Sequence, residues 1–349
     1  MRIVVLGAAG FIGRAVIERA AASGHRAVAA VRDPRRAGGL RAGEVLSVDA
    51  TDRAAVAAAV DGADAVVNCV MADPRSMAEA THAVCESALA GEATRVVHIS
   101  SIAVYGAETG LVGEDAPLAA HDRYGGAKAR CEGIVAAARG RGLDAVILRP
   151  ALVYGPGSPL WVTRIARLLQ ARRLGDLGAS GDGFCNLVHV DTVAAAVLAA
   201  LEEPAPAHRV YNLAPEDPPT WNRYLMHFAR RLGAVPVERI TPRRLALERA
   251  LAAPVLRAAE IAARRVGRAD AVPPPITPGL AGLFGRRVRY DAARARDLVR
   301  GEAVAWEAAI DAIAAGMLQQ GRPSPTPGRD RLPGTPRPDA SLGRGSGPC

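Results

Sequence analysis

Lysine is almost absent from this chain, in which one lysine, Lys128, stands against 43 arginines in 349 residues. Arginine therefore supplies nearly every surface cation, and the retained lysine indicates a task that suits a compact ammonium better than a planar guanidinium. Aromatic residues are also scarce, at 4% of the sequence. A basic surface interleaved with aromatic rings is not found, so no nucleic-acid partner is expected.

Long hydrophobic runs and paired cysteines are missing as well. No run of about 18 uncharged apolar residues occurs, so stable membrane insertion is not expected. The apolar N-terminal stretch leads into a glycine pattern instead of a cleavage site, which predicts a cytoplasmic location. The five cysteines are odd in number and form no C-x-x-C pair, which argues against a disulfide framework and against a metal site.

The net charge of +9 lies largely in two stretches. Residues 321–349 hold seven of the 25 prolines, five arginines and two aspartates. Such a segment buries too little apolar surface to offset its ordering entropy, which predicts a disordered tail. Residues 241–270 hold seven arginines and three acidic residues, and their spacing predicts one or two amphipathic helices. A solvated helical face or a lid over a pocket is favoured there over docking on a membrane surface.

Half of the residues are hydrophobic, enough for a substantial core, and the first 150 residues show how they are organised. Short β-branched runs alternate there with alanine-rich helical stretches. The runs are RIVVLG (2–7), RAVAAVR (26–32), ADAVVNCV (63–70), RVVHIS (95–100) and DAVILRP (144–150). Because they are apolar nearly throughout, both faces of the strands should be covered by helices. The rhythm predicts an α/β fold, a doubly wound parallel sheet of the Rossmann type.

A glycine pattern, GAAGFIG, lies between the first predicted strand and the first predicted helix. Gly7, Gly10 and Gly13 suit a tight turn, a close backbone approach to a pyrophosphate, and close packing of helix on strand. The strand before and the helix after make a dinucleotide site a better interpretation than a turn alone.

The end of the second predicted strand bears on which dinucleotide binds. Val31 lies at its tip and is followed by Arg32 and Asp33. The guanidinium of Arg32 suits a 2′-phosphate, which favours NADP, whereas an acid such as Asp33 suits the 2′-hydroxyl of NAD. After the third predicted strand, Asp49 has two interpretations, a contact to the adenine edge or an N-cap for the helix that follows.

A serine, a tyrosine and the lone lysine form the predicted catalytic site. Ser100 and Ser101 end the strand RVVHIS, and Tyr124 and Lys128 are spaced i, i+4 on a predicted helix, so they share a face. A nearby ammonium should lower the pKa of the phenol and make it a usable acid or base. Either serine can polarise a substrate carbonyl. We therefore predict hydride transfer, with a nicotinamide supplying or taking the hydride and Tyr124 the proton.

The order of GAAGFIG, HISSIAVYG, YGGAK and LRPALVYGPG resembles the extended short-chain dehydrogenase/reductase family, also called the NAD-dependent epimerase/dehydratase family. The resemblance extends over about residues 1 to 315. It implies a Rossmann domain with a smaller C-terminal substrate-binding domain. It places the catalytic residues at Ser101, Tyr124 and Lys128, and implies that the lysine also bonds the nicotinamide ribose.

With this resemblance, the chain is divided into an NAD(P)-binding core (1–150), a mixed region that completes the core and forms the substrate domain (151–320), and a tail (321–349). The predicted cofactor-binding residues are Gly7, Gly10, Phe11, Ile12, Gly13, Arg32, Asp49, Ala50, Cys69, Val70, Ser100, Tyr124, Lys128, Pro150 and Val153. Arg149 and Pro150 should border the nicotinamide. Family members often form dimers through the helix that bears the tyrosine, so a homodimer is possible.

Departures from the family pattern bear on the reaction. Sugar-nucleotide epimerases of the family usually carry an asparagine where this chain has Leu152, and commonly a diphosphate-binding arginine where it has Cys185. The dehydratase pair Asp-Glu after the catalytic residue is replaced by Ile102 and Ala103. The segment VRDP (31–34) resembles reductase and hydroxysteroid-dehydrogenase branches.

These departures favour an NADP-preferring oxidoreductase acting on a carbonyl or secondary alcohol of a small organic molecule. A nucleotide-sugar epimerase remains the alternative, because Arg164, Arg167 or the arginines of 241–268 offer another phosphate grip. A redox-sensing NADP-binding protein without catalysis is the third interpretation.

Other polar and aromatic residues have simpler interpretations. His189 is expected to be structural, with Asp191 or Thr192 capping the helix that follows. Glu114 and Asp115 are expected to be solvent-facing loop acids. For Trp161 and Trp221, core packing is favoured over lining a pocket.

Overall fold

A computed structural model of the protein describes residues 1–91, 95–107, 109–203, 208–265, 272–299, 301 and 304–320. The predicted disordered tail, 321–349, lies outside these residues. The strands are β1 Arg2–Leu6, β2 Arg26–Val31, β3 Glu44–Ser47, β4 Ala65–Asn68, β5 Arg95–Ile99, β6 Thr109–Val112, β7 Ala145–Pro150, β8 Leu152–Tyr154, β9 Leu187–His189, β10 Val210–Leu213 and β11 Arg287–Tyr290.

The α-helices lie between these strands and after the last of them. They are α1 Phe11–Ala22, α2 Arg53–Val60, α3 Pro74–Ala90, α4 Arg123–Gly140, α5 Arg164–Gln170, α6 Val190–Glu202, α7 Trp221–Arg231, α8 Pro242–Leu247, α9 Ala253–Arg265, α10 Pro278–Leu283, α11 Arg296–Val299 and α12 Trp306–Gln320. A π-helical turn, Glu248–Ala252, joins α8 to α9, and a 3₁₀ turn, Ile102–Tyr105, follows β5. No helix within the described ranges is both long and apolar enough to cross a bilayer.

Seven strands form one parallel sheet in the order β10-β7-β5-β4-β1-β2-β3. Ile3 of the central β1 pairs with Ala27 of β2 on one side and with Ala65 of β4 on the other. Strand order reverses next to β1, as it does in doubly wound sheets that bind a nucleotide at this position. The predicted α/β Rossmann fold is confirmed.

Helices cover both faces of this sheet, which explains the continuous apolar runs in its strands. On one face, Ile3 and Val5 of β1 share a buried cluster with Ile17 of α1 and Val193 of α6. On the other face, Val4 belongs to a second cluster that includes residues of α2, α3 and α4. Each fully buried Val or Ile contributes about 1.5–3 kcal/mol relative to an exposed one.

A separate core, formed by residues after Pro150, contains about half of the few aromatic residues. Trp221, Tyr224, Phe228 and Phe284 are all fully buried in this cluster, and the rings of Trp221 and Phe284 meet edge to face at 5.1 Å. The favoured core interpretation is thus confirmed for Trp221. Residues after Pro150 also supply β10 and α6 to the main sheet and its helical layer.

Candidate active site

The predicted site residues gather at one edge of the sheet. Because all seven strands are parallel, their carboxyl ends meet there, and the loops that follow them lie side by side. The strand ends and following segments that carry predicted residues are those of β1 (Gly7, Gly10, Phe11, Ile12, Gly13), β2 (Arg32), β3 (Asp49, Ala50), β4 (Cys69, Val70), β5 (Ser100, Ser101) and β7 with β8 (Pro150, Val153).

The glycine turn after β1 is tightly packed against its neighbours. Gly7 adopts a left-handed backbone with φ of 76°, and a β carbon there would lie 2.8 Å from the Cys69 carbonyl oxygen. A β carbon at Gly13 would collide with the Gly7 carbonyl oxygen. Gly10 is the N-cap of α1 and provides no side-chain cap, so the first amides of this helix keep their donors for an anion. The tight turn and the close packing of helix on strand are confirmed, and the approach to a pyrophosphate stays a prediction.

The segment after β4 is fixed by a buried amide that the sequence analysis missed. Asn68 accepts a hydrogen bond from the Val70 amide at 3.1 Å and donates one to the Thr81 hydroxyl at 3.3 Å. Burial raises the pKa of the neighbouring Cys69 thiol to about 12, so the thiol stays protonated. Asn68 thus fixes the two residues predicted to border the cofactor.

At the tip of β2, an arginine is exposed and the acid is already paired. Arg32 is exposed, whereas Asp33 accepts hydrogen bonds from Arg35 at 2.9 Å and 3.1 Å. These bonds to Arg35 lower the pKa of Asp33, which therefore stays ionised. Both carboxylate oxygens of Asp33 are turned to a guanidinium of the protein itself.

The N-cap interpretation of Asp49 is wrong. Asp52 caps α2, accepting hydrogen bonds from the Ala54 and Ala55 amides. Asp49 instead accepts from the amide and hydroxyl of Thr51 at 3.0 Å and 2.8 Å. The cap lies three residues later than the sequence suggested, because the chain makes an additional turn after β3.

Ser101, Tyr124 and Lys128 are brought together as predicted. Ser101 follows β5, and its side chain lies close enough to the Tyr124 hydroxyl to lower the pKa of that phenol. Lys128 lies one turn along α4, is 3% exposed, and donates a 2.7 Å hydrogen bond to the Ile99 carbonyl. Its buried ammonium also lies close enough to Cys69 to lower the pKa of that thiol slightly. The lone lysine is thus fully buried at the strand end that carries the serines.

The expected lowering of the pKa of Tyr124 is wrong in this arrangement. Burial raises the pKa of the phenol above its ordinary value of 10.0, the nearby Ser101 side chain lowers it, and the charge of Asp122 raises it. Burial likewise lowers the pKa of the Lys128 ammonium, while nearby Cys131, Cys69 and Glu132 raise it. Lys128 does not lower the pKa of the phenol here, because its ammonium is turned toward the Ile99 carbonyl.

A glycine within YGGAK allows the serine and the tyrosine to meet. A β carbon at Gly125 would collide with the Ala103 carbonyl oxygen in the turn that follows Ser101. At Gly126, the next residue, a β carbon would meet nothing within 4 Å. The first glycine is therefore required for close approach of α4 to that turn, whereas the second is not.

The two serines have different partners. Ser100 donates to the carboxylate of Glu132, which lies one turn beyond Lys128 on α4. Glu132 in turn accepts hydrogen bonds from Arg149 at 2.9 Å and 2.6 Å, and both side chains are almost completely buried. Of the two serines considered for carbonyl polarisation, Ser101 is therefore the one beside Tyr124. Arg149 was expected to border the nicotinamide, but its guanidinium lies in this ion pair.

The ion pair continues into a buried network. Arg149 also donates to the Tyr105 hydroxyl at 2.6 Å and to the Glu114 carbonyl at 2.9 Å. Tyr105 donates to the side-chain oxygen of Asn212 at 2.7 Å. The backbone amide of Asn212 donates to the Glu114 carboxylate at 2.9 Å. Glu114 is therefore buried, and its expected solvent-facing position is wrong. The neighbouring Asp115 is exposed, as expected.

One sequence signal did point to this network. An arginine in the otherwise apolar strand DAVILRP requires a buried counter-charge. Glu132, four residues after Lys128 on the same helical face, was the nearest candidate along the predicted active-site helix.

His189 is structural, as expected, but it is itself the cap. Its ring accepts from the Asp191 amide at 3.3 Å at the start of α6, so neither Asp191 nor Thr192 is the capping residue. Burial lowers the pKa of His189 and the charge of Asp191 raises it, with a net lowering, which keeps the ring neutral.

Four of the positions considered for phosphate binding are uncharged or already hydrogen-bonded. Cys185 is completely buried, and burial raises the pKa of its thiol well above the ordinary value. Leu152 is half-buried in β8. Arg164 and Arg167 donate to the backbone carbonyls of Pro275 and Val272, so these guanidinium groups hold the segment before α10.

Comparison with protein families identifies residues 3–214 as matching the NAD dependent epimerase/dehydratase family. A 3-diazoavenalumate denitrifying reductase from a Streptomyces species is 34% identical over 260 residues, 68% of this chain and 83% of that protein. A 2-alkyl-3-oxoalkanoate reductase from Stenotrophomonas maltophilia is 28% identical, over 68% of this chain and 78% of that protein.

Solved structures share the fold at lower identity. A UDP-glucose 4-epimerase from Thermotoga maritima superposes with a TM-score of 0.69 at 18% identity, over 92% of this chain and 99% of that one. A UDP-glucuronic acid 4-epimerase from Bacillus cereus, solved with NAD, gives a TM-score of 0.68 at 18% identity, over 92% of this chain and 100% of that one. The protein is an enzyme that belongs to the NAD-dependent epimerase/dehydratase family, whose reductase and epimerase members it resembles in sequence and in fold.

Proposed function

We propose that the protein is an NADP(H)-dependent reductase or dehydrogenase that interconverts a carbonyl and a secondary alcohol on a small organic molecule. The observation that carries this proposal is the approach of Ser101 to the Tyr124 phenol at the carboxyl end of β5, with Lys128 buried one helical turn away. A serine that can hydrogen-bond a carbonyl, a tyrosine that can transfer a proton and a buried lysine lie together at this edge. This combination supports proton transfer coupled to hydride transfer.

The residues around the glycine turn fit a dinucleotide. Gly7 allows a close approach of backbone, and the bare N-terminus of α1 suits a pyrophosphate. A nicotinamide cofactor, when bound, supplies the hydride. The cofactor contacts assigned to Phe11, Ile12, Ala50, Pro150 and Val153 remain part of this proposal.

In the reductive direction, Tyr124 donates its phenolic proton to the carbonyl oxygen as the carbonyl carbon receives the hydride. Its raised pKa keeps the phenol protonated and ready to donate at neutral pH. Ser101 hydrogen-bonds the same oxygen and steadies the charge that develops on it. Lys128, held by the Ile99 carbonyl, keeps a positive charge beside the tyrosine.

The described arginines favour a reductase over a nucleotide-sugar epimerase. The family position for a diphosphate-binding arginine is the buried, uncharged Cys185. Two of the substitutes considered from the sequence, Arg164 and Arg167, bind backbone carbonyls instead. Among the arginines of 241–268, Arg244 pairs with Glu238, whereas Arg243, Arg257 and Arg265 are exposed to solvent. The curated relatives named above are reductases, which also favours net reduction.

Absorbance at the nicotinamide band tests the reaction type. With NADPH and a panel of hydroxy-ketones and 3-oxo compounds, we expect net loss of reduced cofactor in step with alcohol formation. Stabilisation by UDP alone in a thermal-shift assay, together with sugar interconversion without net absorbance change, would instead establish an epimerase and overturn the proposal.

The preference for NADP rests on the tip of β2. Arg32 is exposed there, and Asp33 is paired with Arg35 and thus poorly placed to accept from a ribose hydroxyl. Arg32→Ser should raise the KM for NADPH about tenfold and leave the KM for NADH unchanged. The control is Arg141→Ser, which changes an exposed arginine at the C-cap of α4. Equal KM changes for the two cofactors would contradict the preference.

Three further parts of the proposal concern the whole chain. The boundary at 150 divides the cofactor-binding part from a part that completes the core and shapes the substrate pocket, and the boundary at 320 separates the tail. A cytoplasmic location and a homodimer that uses α4 remain predictions. Chain mass in solution, measured by light scattering, tests the homodimer.

A further inference from the structure

The outer face of the α8–α9 segment exposes large apolar side chains in a row. Leu247, Leu251, Val255 and Ile261 are 59%, 66%, 68% and 52% exposed. The first three are spaced four residues apart and so follow one side of the helical stretch. We call these four residues the outer stripe. Single exposed apolar residues are ordinary, but a row of four on one helical surface marks an interaction site.

The stretch formed by α8, the π-helical turn and α9 holds two acidic residues, Glu248 and Glu260. Both lie on the side that faces the protein body. Glu248 accepts a 3.2 Å hydrogen bond from Arg173, and the two side chains are largely buried. Burial lowers the pKa of the Arg164 guanidinium, and the carboxylate of Glu260 lies near enough to raise it. The acids are therefore turned toward arginines of the protein body.

The cations of the same segment lie outside. Arg243, Arg257 and Arg265 are exposed at the start, middle and end of residues 243–265. Arg244 is the exception, because it pairs with Glu238 at 2.8 Å. Among the described side chains, the outward surface of this segment therefore combines the apolar outer stripe with positive charge.

We propose that the outer stripe and its arginines dock on an anionic lipid bilayer surface. A helix with exposed leucine, valine and isoleucine flanked by arginine lies in the headgroup region, where the apolar side chains enter the acyl boundary and the guanidinium groups meet lipid phosphates. Such docking lays a helix on the surface and inserts no spanning segment. The sequence pattern alone favoured a solvated face or a lid over a pocket, but solvent exposure of all four apolar residues favours a bilayer.

Charge decides against the other apolar partner, a second copy of this chain. A two-fold contact through the outer stripe would place two surfaces against each other whose described exposed charges are positive, those of Arg243, Arg257 and Arg265. Like charges placed together across an interface oppose association. An anionic bilayer complements both the apolar and the cationic part of this surface.

Vesicle co-sedimentation of the full chain tests the proposal. We expect binding to vesicles of phosphatidylcholine with phosphatidylglycerol, weak binding to pure phosphatidylcholine, and a loss of binding as salt is raised. The double change Leu251→Ser, Val255→Ser should reduce affinity for the anionic vesicles at least about tenfold. Leu111→Ser, which alters a leucine 65% exposed on β6, is the matched control and should bind as the wild type does.

Three results would overturn the proposal. The first is absence of binding to anionic vesicles. The second is wild-type binding by the double variant, which would assign the affinity to arginines and leave the outer stripe without a role. The third is a dimer in light scattering that the double variant converts to a monomer, since the outer stripe would then cover a second copy. Circular dichroism confirms that the variants fold.

Discussion

The carboxyl edge of the sheet and the outer stripe are made of similar residues used in opposite ways. At the edge, Arg149 is buried and its donors meet the carboxylate of Glu132, a phenol and a carbonyl. On the outer helices, Arg257 and Leu251 are both exposed. Composition does not distinguish the two regions, but burial does. A paired buried cation holds a site rigid, whereas an exposed one beside apolar side chains is available to a partner.

The largest expected effect is loss of the buried carboxylate. Glu132→Ala leaves the Arg149 guanidinium buried without a counter-charge and should lower the free energy of unfolding by about 3–5 kcal/mol. Glu79→Ala removes an exposed ion pair with Arg75 on α3 and should cost about 0.5 kcal/mol or less. Equilibrium unfolding in urea measures both. Equal costs would erase the contrast between buried and exposed pairs.

A smaller effect is expected from the two glycines of YGGAK. Gly125→Ala drives a β carbon into the Ala103 carbonyl, so we expect a loss of about 1–3 kcal/mol of stability and at least about tenfold in turnover, as Tyr124 moves from Ser101. Gly126→Ala has open space in a helix and should gain about 0.5–1 kcal/mol with full activity. If both variants behaved alike, the close approach would have no catalytic role.

On the outer stripe, substitution should hardly affect folding. Leu251→Ser changes a side chain that is mostly exposed already, so the free energy of unfolding should stay within about 0.5 kcal/mol of wild type. Leu148→Ala, in the buried β7, should by contrast cost about 2–5 kcal/mol. A large cost at Leu251 would mean that this residue is packed in solution.

No effect at all is expected from pH across the neutral range. Reduction uses the protonated phenol of Tyr124, and a pKa raised above 10.0 keeps it protonated through that range. The value of kcat/KM for reduction should stay level from about pH 6 to about pH 9 and fall only above that. A decline through about pH 7 to 8 would show that Lys128 lowers the pKa of the phenol, as the sequence suggested.

Local sequence patterns predicted what local geometry determines. The glycine turn after β1, the apolar strands and the i, i+4 placement of Tyr124 and Lys128 each follow from a few neighbouring residues, and each was predicted. The N-cap of α2 was missed by three residues, because Asp49 and Asp52 satisfy the same local rule.

Contacts between distant segments were not predictable in the same way. The bond from the Asn212 amide to Glu114 joins residues 98 apart in the chain, and no periodicity links them. The raised pKa of Tyr124 depends on how deeply α4 is buried against the sheet, a tertiary property. The outer stripe was predicted as an amphipathic pattern, but which face meets solvent is decided by Glu248 and its partner Arg173.

Turnover of Tyr124→Phe tests the central claim most directly. With NADPH and a reducible substrate, the account predicts that kcat falls by at least about a hundredfold while NADPH affinity, measured by fluorescence, stays within about twofold of wild type. Near wild-type turnover by this variant would show that Tyr124 does not donate the proton and would contradict the proposed mechanism.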